Sequence, residues 1–208
     1  MGWRGRALGA AMCALGCAVP LLADARTAAQ QLLAGDAGSV ARRVVRSGDH
    51  GKLPFAVVDK LNARIHVFDG AGKWRGSSPV LLGQAPGDGI APDVGLHAEQ
   101  GHVPFAERTT PAGRFESQAG RNHKGEQVVW VDYDSAFAIH RLRPGASQHD
   151  RARRLASAST ADKRASLGCV IVPVGFYLSV VQRLLGAGRA VVYVMPEGGS
   201  ARSAAESM

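Results

Sequence analysis

Cys169 and His140 are the two side chains whose types could do covalent chemistry together. A cysteine thiol of pKa about 8.5 is only a few per cent thiolate at neutral pH, so a nucleophilic cysteine needs a base or a positive field. Cys169 follows Ser166-Leu167-Gly168 and opens the apolar run Val170-Ile171-Val172. A glycine just before a nucleophile permits a tight turn and a close approach of the substrate to the backbone. The amides of Gly168 and Cys169 are natural donors to the oxyanion of a tetrahedral acyl intermediate. His140 ends an alternating, strand-like run and is the candidate base. Acyl transfer through a thioester is the chemistry such a pair performs. The bland alternatives are an inert buried thiol and a histidine satisfied by its surroundings.

The first residues bear on compartment. Arg4 and Arg6 precede the nearly unbroken apolar stretch 7–22, and Ala23-Asp24-Ala25 places small residues where a signal peptidase reads. That is the layout of a secretory signal peptide over 1–25, with an apolar stretch too short for a stable membrane span. An N-terminal core helix, or a lipid anchor through Cys17, are the alternatives. Export to the periplasm or cell envelope is the expectation. Cleavage after Ala25 removes Cys13 and Cys17, leaving Cys169 with no partner for an intramolecular disulfide. An unpaired thiol in an oxidising compartment calls for burial or a use.

The elements that must position these residues are mostly strands. The stretch 26–52 reads as an arm of two short helical pieces, Ala28–Ala34 and Val40–Arg46, stopped by Gly35 and Gly48 and capped by Thr27 and Ser39. From Leu53 the pattern becomes period two. Phe55–Asp59 and Ala63–Asp69 form an expected hairpin around Lys60-Leu61-Asn62. Trp74–Leu82, Arg114–Ser117, Val128–Tyr133, Ala136–Arg141, Val170–Val172 and Ala190–Met195 are further strand candidates. Val174–Leu185 has helical spacing, with Pro173 at its start and Gly186 at its end. Residues 83–108, rich in Gly, Pro, Asp and His, read as a long loop over a cleft. The expected layout is therefore one mainly β domain over 53–197 with one main helix after the cysteine, and a polar, disordered tail over 198–208.

A hydrophobic fraction of 46% and a charged fraction of 20% suit a soluble globular domain that needs no disulfide staples. The net charge of +8 falls only to +7 when Arg4, Arg6 and Asp24 leave with the signal peptide. Such a surface attracts polyanions, including acidic cell-wall material. No compact basic run interleaves with aromatics, so nucleic acid is not an expected partner. His97 and His102 match no common metal-ligand spacing, and no metal is expected. Trp74 and Trp130 read as core or cleft wall, while Tyr133 could line the cleft.

Three stretches carry a resemblance. The run Arg164-Ala165-Ser166-Leu167-Gly168-Cys169-Val170-Ile171-Val172-Pro173 resembles the signature of the L,D-transpeptidase catalytic-domain family: an upstream His, a spacer, then Ser/Thr-His-Gly-Cys, a hydrophobic residue and Asn. Thr110-Pro111-Ala112-Gly113-Arg114-Phe115 resembles the family's Thr-Pro-x-Gly-x-Phe/Tyr segment, and Phe137-Ala138-Ile139-His140 its histidine strand. The segment 154–164 is similar to a branch with a lengthened spacer. The resemblance spans roughly residues 53–197 and implies a β-sandwich of mixed sheets. It implies Cys169 as the acylated nucleophile, His140 as its base, and the Arg141 carbonyl as the group that orients the imidazole. It implies Gly168 and Cys169 amides in the oxyanion site, and no cofactor.

The reaction implied begins with attack on the carbonyl between the L-centre of meso-diaminopimelate and a terminal D-alanine of a peptidoglycan tetrapeptide stem, releasing D-alanine. A stem amine or water then resolves the thioester, giving a cross-link or L,D-carboxypeptidase action. A monomer is expected. Departures from the signature are Leu167 in place of His, Ile171 in place of Asn, and 28 residues between His140 and Cys169. A silent relative that binds cell-wall peptides is the alternative that Leu167 and Ile171 motivate. The spacer is basic, and Arg164 reads as a grip for a stem carboxylate, as part of an expected lid. A solvated charged loop is the plain alternative for any one of these arginines. Ser166 and Tyr133 join Arg164 as candidate substrate contacts.

Overall fold

Apolar residues at 37, 40, 41 and 44 place one stripe along α1 (Asp36–Ser47), and that stripe is buried. The computed structural model describes residue 1 and residues 35–198. The expected signal peptide, the Cys17 anchor, the piece Ala28–Ala34 and the tail from 199 lie outside the described residues. Gly35, expected to stop a helix, is instead the N-cap of α1, and Gly48 ends it by donating its N–H to the Val44 carbonyl at 3.0 Å. The stripe packs on Phe55, Val57, Phe68, Val191, Tyr193 and Met195. This part of the expected arm is thus seated on the sheet.

The sheet has eight strands and is mixed. In chain order they are β1 (Phe55–Asp59), β2 (Arg64–Phe68), β3 (Trp74–Pro79), β5 (Gly113–Arg121), β6 (Gln127–Asp132), β7 (Phe137–Arg141), β9 (Val170–Val172) and β10 (Arg189–Val194), and in space they run β3-β2-β1-β10-β5-β6-β7-β9. The last strand in sequence is central, parallel to β1 and antiparallel to β5. Its residues from Ala190 onward are all buried, as a strand covered on both faces requires. The other parallel pair is β7 with β9. The chain is mainly β, as its period-two pattern predicts.

The expected strand Trp74–Leu82 divides in two. Pro79 is the last residue paired with β2, and Val80 still donates its N–H to the Ala63 carbonyl of the β1–β2 turn at 2.9 Å. Leu81 then exchanges both backbone hydrogen bonds with Ile171, at 2.9 and 3.0 Å. This single bridge joins the chain just beyond one edge strand to the strand at the opposite edge, so the sheet curls on itself. Beyond it, β4 (Leu82–Gly83) pairs in parallel with β8 (Arg164–Ser166) as a separate two-stranded sheet. Inside the curl, Ala56, Val58, Val67, Ile139, Val170 and Val192 form one buried cluster drawn from both ends of the sheet. Tyr177, Val181 and Leu185 of the helical run 174–187 complete it. That run starts after Pro173, and its middle, Tyr177–Val181, winds as a π-helix.

The two long connections are folded. The loop 83–108 contains α2 (Val94–Glu99) and a short 3₁₀ turn, Phe105–Glu107. The spacer contains α3 (Gln148–Ala156), whose Leu155 packs with Leu81, Leu142 and Ile171 on the outer face of β9. Lys163 caps this helix by donating to the carbonyls of Arg154, Leu155 and Ser157 at 2.7–2.8 Å.

Two buried histidines make the fold sensitive to acid. Burial first, then the nearby Arg64 charge, holds His66 at about 4. Burial first, then Arg143, does the same for His140. Unfolded histidine titrates near about 6.5, so between those values the unfolded chain binds more protons and stability falls as pH falls. At pH 5 the loss is on the order of 2 kcal/mol per histidine. Urea midpoints at pH 7 and pH 5 check this: His66→Gln should lose about half of what the parent loses between them. Equal losses would remove His66 from the account.

Candidate active site

Register places the nucleophile and base candidates on one face of one strand pair. Ile139 pairs with Val170 and His140 with Ile171. Ile139 and Val170 point into the core cluster, so the residues one step away on each strand, His140 and Cys169, point out of it. Strand spacing and rise put their Cα positions roughly 8 Å apart on the diagonal. The ring and the thiol hold separate partners: His140 Nδ1 bonds the Arg141 carbonyl at 2.8 Å, and Cys169 Sγ bonds the Ala136 carbonyl at 3.6 Å. A carbonyl only accepts, so Nδ1 carries the proton and Nε2 keeps its lone pair. With its pKa lowered to about 4, this imidazole is neutral at pH 7.

The thiol is neutral too. Burial pushes Cys169 up, and the Ala138 amide and Arg143 charge draw it back by less. Arg143, one of the basic spacer residues that the sequence offered either to a lid or to a solvated loop, is therefore the main positive field on the pair. It is held by an ion pair with Glu126 at 2.8 Å. The arrangement can do general-base chemistry, in which the proton leaves sulfur only as attack begins.

The turn that presents Cys169 is built by small residues. Gly168 has φ +131°, and a Cβ there would sit 2.8 Å from the Thr109 carbonyl. Ser166, buried, donates to the Cys169 carbonyl at 2.6 Å and accepts the Gly168 N–H at 3.1 Å. Ser166 thus shapes the turn from below. The Gly168 amide, expected in the oxyanion site, is committed to that hydroxyl. The Cys169 amide stands beside the sulfur.

Thr110 is the residue that sequence reasoning had only as part of a motif. Fully buried, it donates to the Gly168 carbonyl and accepts the Gly83 N–H, both at 2.8 Å. Its own carbonyl accepts from the buried Lys60 ammonium at 2.7 Å. Two buried backbone groups bonded to one hydroxyl were the missed signal, which no sequence spacing displays.

Cys169 opens on a cavity of about 140 Å³. Val94 and Val103 from the folded loop line it, together with Thr109, Ala136, Phe137, Leu167 and Cys169 itself. An engineered apolar cavity of about 150 Å³ accepts benzene, so this one takes a single short side chain. Gly95 lies against the Asp134 carbonyl, where a Cβ would come within 1.9 Å, so α2 seats directly on the β6–β7 turn. The long loop thus forms a wall, as its composition predicts.

The other candidates fall elsewhere. Arg164 pairs with Glu197 at 2.7 Å and does not line the cavity. Arg153 and Arg154 pair with Asp150 within α3, so these two charges are held on that helix's own surface. Tyr133 is exposed, its ring edge-on to Trp130, and does not line the cavity. Leu167, 50% exposed, lines the cavity where the signature has His. Ile171 is buried in the outer cluster, and its backbone closes the sheet. Among the described residues no group of three or more His, Cys, Asp or Glu is arranged to hold a metal ion, and no helix is long and apolar enough to cross a membrane.

Thr110→Val keeps shape and removes the hydroxyl. Leaving the Gly83 N–H and the Gly168 carbonyl unpaired costs about 2–4 kcal/mol, read as a lowered urea midpoint. A loss below about 0.5 kcal/mol would show that the hydroxyl does not hold the turn. Alkylation of Cys169 by iodoacetamide should climb with pH through 9 with no plateau near neutrality, because the thiol sits above its ordinary range. A plateau between pH 6 and 8 would mean a thiolate–imidazolium pair instead.

No protein-family model matches the chain, and neither does any curated protein sequence.

Proposed function

We propose that this chain is a cysteine-dependent acyltransferase of the L,D-transpeptidase type, acting on peptidoglycan stem peptides in the cell envelope. The observation that carries this reading is Cys169 at the wall of a small cavity, on the same outward face as a neutral His140 whose free nitrogen is Nε2. In this reading His140 accepts the thiol proton as Cys169 attacks the stem carbonyl. The tetrahedral oxyanion is met by the Cys169 amide, collapse releases the terminal D-alanine, and a thioester remains. An amine of a second stem, or water, resolves it and regenerates the thiol. Ser166 and Thr110 act as positioning residues, since each bonds backbone of the nucleophile turn. The eight-stranded mixed sheet is then the family's β-sandwich, drawn together by the Leu81–Ile171 bridge.

A second reading, a silent relative that binds stem peptides without acylation, is favoured by Leu167 in the cavity and by the raised thiol. Intact mass separates the two. The purified protein without residues 1–25 is incubated with a carbapenem, which acylates active members of the family that the chain resembles, and separately with disaccharide-tetrapeptide. Cys169→Ala runs alongside. A drug adduct on the parent alone, with loss of D-alanine from the tetrapeptide, is the expected result. No adduct and intact tetrapeptide, in folded protein, would replace this reading with the silent one.

A further inference from the structure

The outer face of β1, β2 and β3 carries a polar pocket that acyl transfer at Cys169 does not use. Val57 and Phe68 pack under α1 on that face, so Asp59, Arg64 and His66, at even steps along the same strands, lie on it too. Ser77 of β3 pairs with His66 in register and joins them. The start of α1 and Thr160 of the spacer complete the lining, around a cavity of about 480 Å³. Its open groups are mostly donors. Arg64 turns Nε and one terminal nitrogen to Ser77 Oγ, at 3.2 and 3.0 Å, and makes no ion pair among the described residues. Its register partner Asp59 gives both oxygens to Asn62 instead, at 3.0 and 2.7 Å. His66 is 6% exposed, and its Nδ1 is sealed with no partner. A buried N–H without an acceptor is costly, so the neutral ring carries its proton on Nε2, the nitrogen left for the pocket. Gly35 starts α1 with no side-chain cap, and the bond from the Ser39 amide to the Gly35 carbonyl leaves the amides of 36–38 without a partner inside the helix.

We propose that this pocket binds a single phosphate group, free or as a monoester. A guanidinium, an imidazole N–H, hydroxyls and helix amides reach it from the sheet, the spacer and α1, and a tetrahedral oxyanion has acceptors for each direction. A flat carboxylate would use fewer of them. A cation would find Asp36, exposed on the first turn of α1, as its one open carboxylate, with Arg64 opposing it. Asp36 and Asp59 in turn oppose a highly charged ligand, so one phosphate fits and a pyrophosphate does not. The volume lies in the range of small-molecule sites, which favours the monoester of a small polar molecule over the bare ion. The inference does not rest on acyl transfer at Cys169.

Isothermal titration at fixed ionic strength tests this with glucose 1-phosphate, inorganic phosphate and glucose as probes. Saturable one-to-one binding of a phosphate probe, with none of glucose, is the expected result. Tighter binding of glucose 1-phosphate assigns the monoester, and equal or tighter binding of inorganic phosphate assigns the free ion. Arg64→Gln keeps a donor toward Ser77 but removes the charge, and should weaken binding about tenfold or more. Thr160→Asp sets a carboxylate at an exposed position of the lining and should weaken it by a similar factor, so the test stands if Arg64→Gln fails to fold. Arg183→Gln removes an exposed arginine outside the pocket and should stay within about twofold, which separates the site from general attraction to a basic protein. No saturable binding of either phosphate overturns the inference. So does binding that Thr160→Asp, or folded Arg64→Gln, leaves within about twofold of the parent.

Discussion

The ammonium of Lys60 is wholly buried, and a charge taken out of water persists only where partners replace its hydration. It donates to the carbonyls of Gly87 and Thr110 at 2.7 Å and to the Asp88 carboxylate at 2.6 Å, with Glu197 at 3.3 Å. Those partners come from the loop after β4, the approach to β5 and the chain beyond β10. Arg164 joins through Glu197, which ties in β8 as well. One cation at the β1–β2 turn thereby fixes the segment carrying Thr110. The Thr110 hydroxyl then fixes the Gly168 carbonyl, and with it the turn that presents Cys169. The position of Cys169 is set by a chain of buried polar contacts that begins at a hairpin far away in sequence.

The same burial that makes this chain of contacts strong sets the resting state of the candidate pair. Removing water raises the thiol and lowers the imidazole, so both are neutral. Arg143 favours the thiolate and disfavours the imidazolium, so its charge alone cannot make an ion pair. A neutral pair reacts more slowly with adventitious electrophiles than a preformed thiolate. In the proposed reaction it becomes nucleophilic only as the proton moves to Nε2.

Departures from the resembled signature have physical places. Ile171 gives its backbone to Leu81 and its side chain to the cluster under α3. A polar amide at that site would lie among Leu81, Leu142 and Leu155 without a partner in view. The extra length between His140 and Cys169 is occupied by α3 and its Lys163 cap, which cover that outer face. Leu167 leaves the cavity mouth apolar.

What the sequence determined by itself was local and periodic. Short β-branched and apolar runs marked β1, β7 and β9 closely, because a strand covered on both faces stays apolar along its length. The stripe at 40, 41 and 44, with Gly48 after it, marked α1, although its start fell earlier than Ser39 because Asp36 and Ala37 also serve the helix. The single cysteine and the glycine before it marked the candidate nucleophile, because thiol chemistry and a positive φ each restrict residue type. Tertiary structure alone decided the rest. Nothing in the run Trp74–Leu82 announces that the chain leaves β2 at Pro79 and crosses to Ile171. Nothing beside Lys60 announces an ammonium buried among groups 27 and 50 residues away. That Arg164 pairs with Glu197, near the far end of the chain, is decided for the same reason. A charged side chain's role is fixed by which opposite charge lies within reach after folding, and that is a property of distance in space rather than of spacing along the chain.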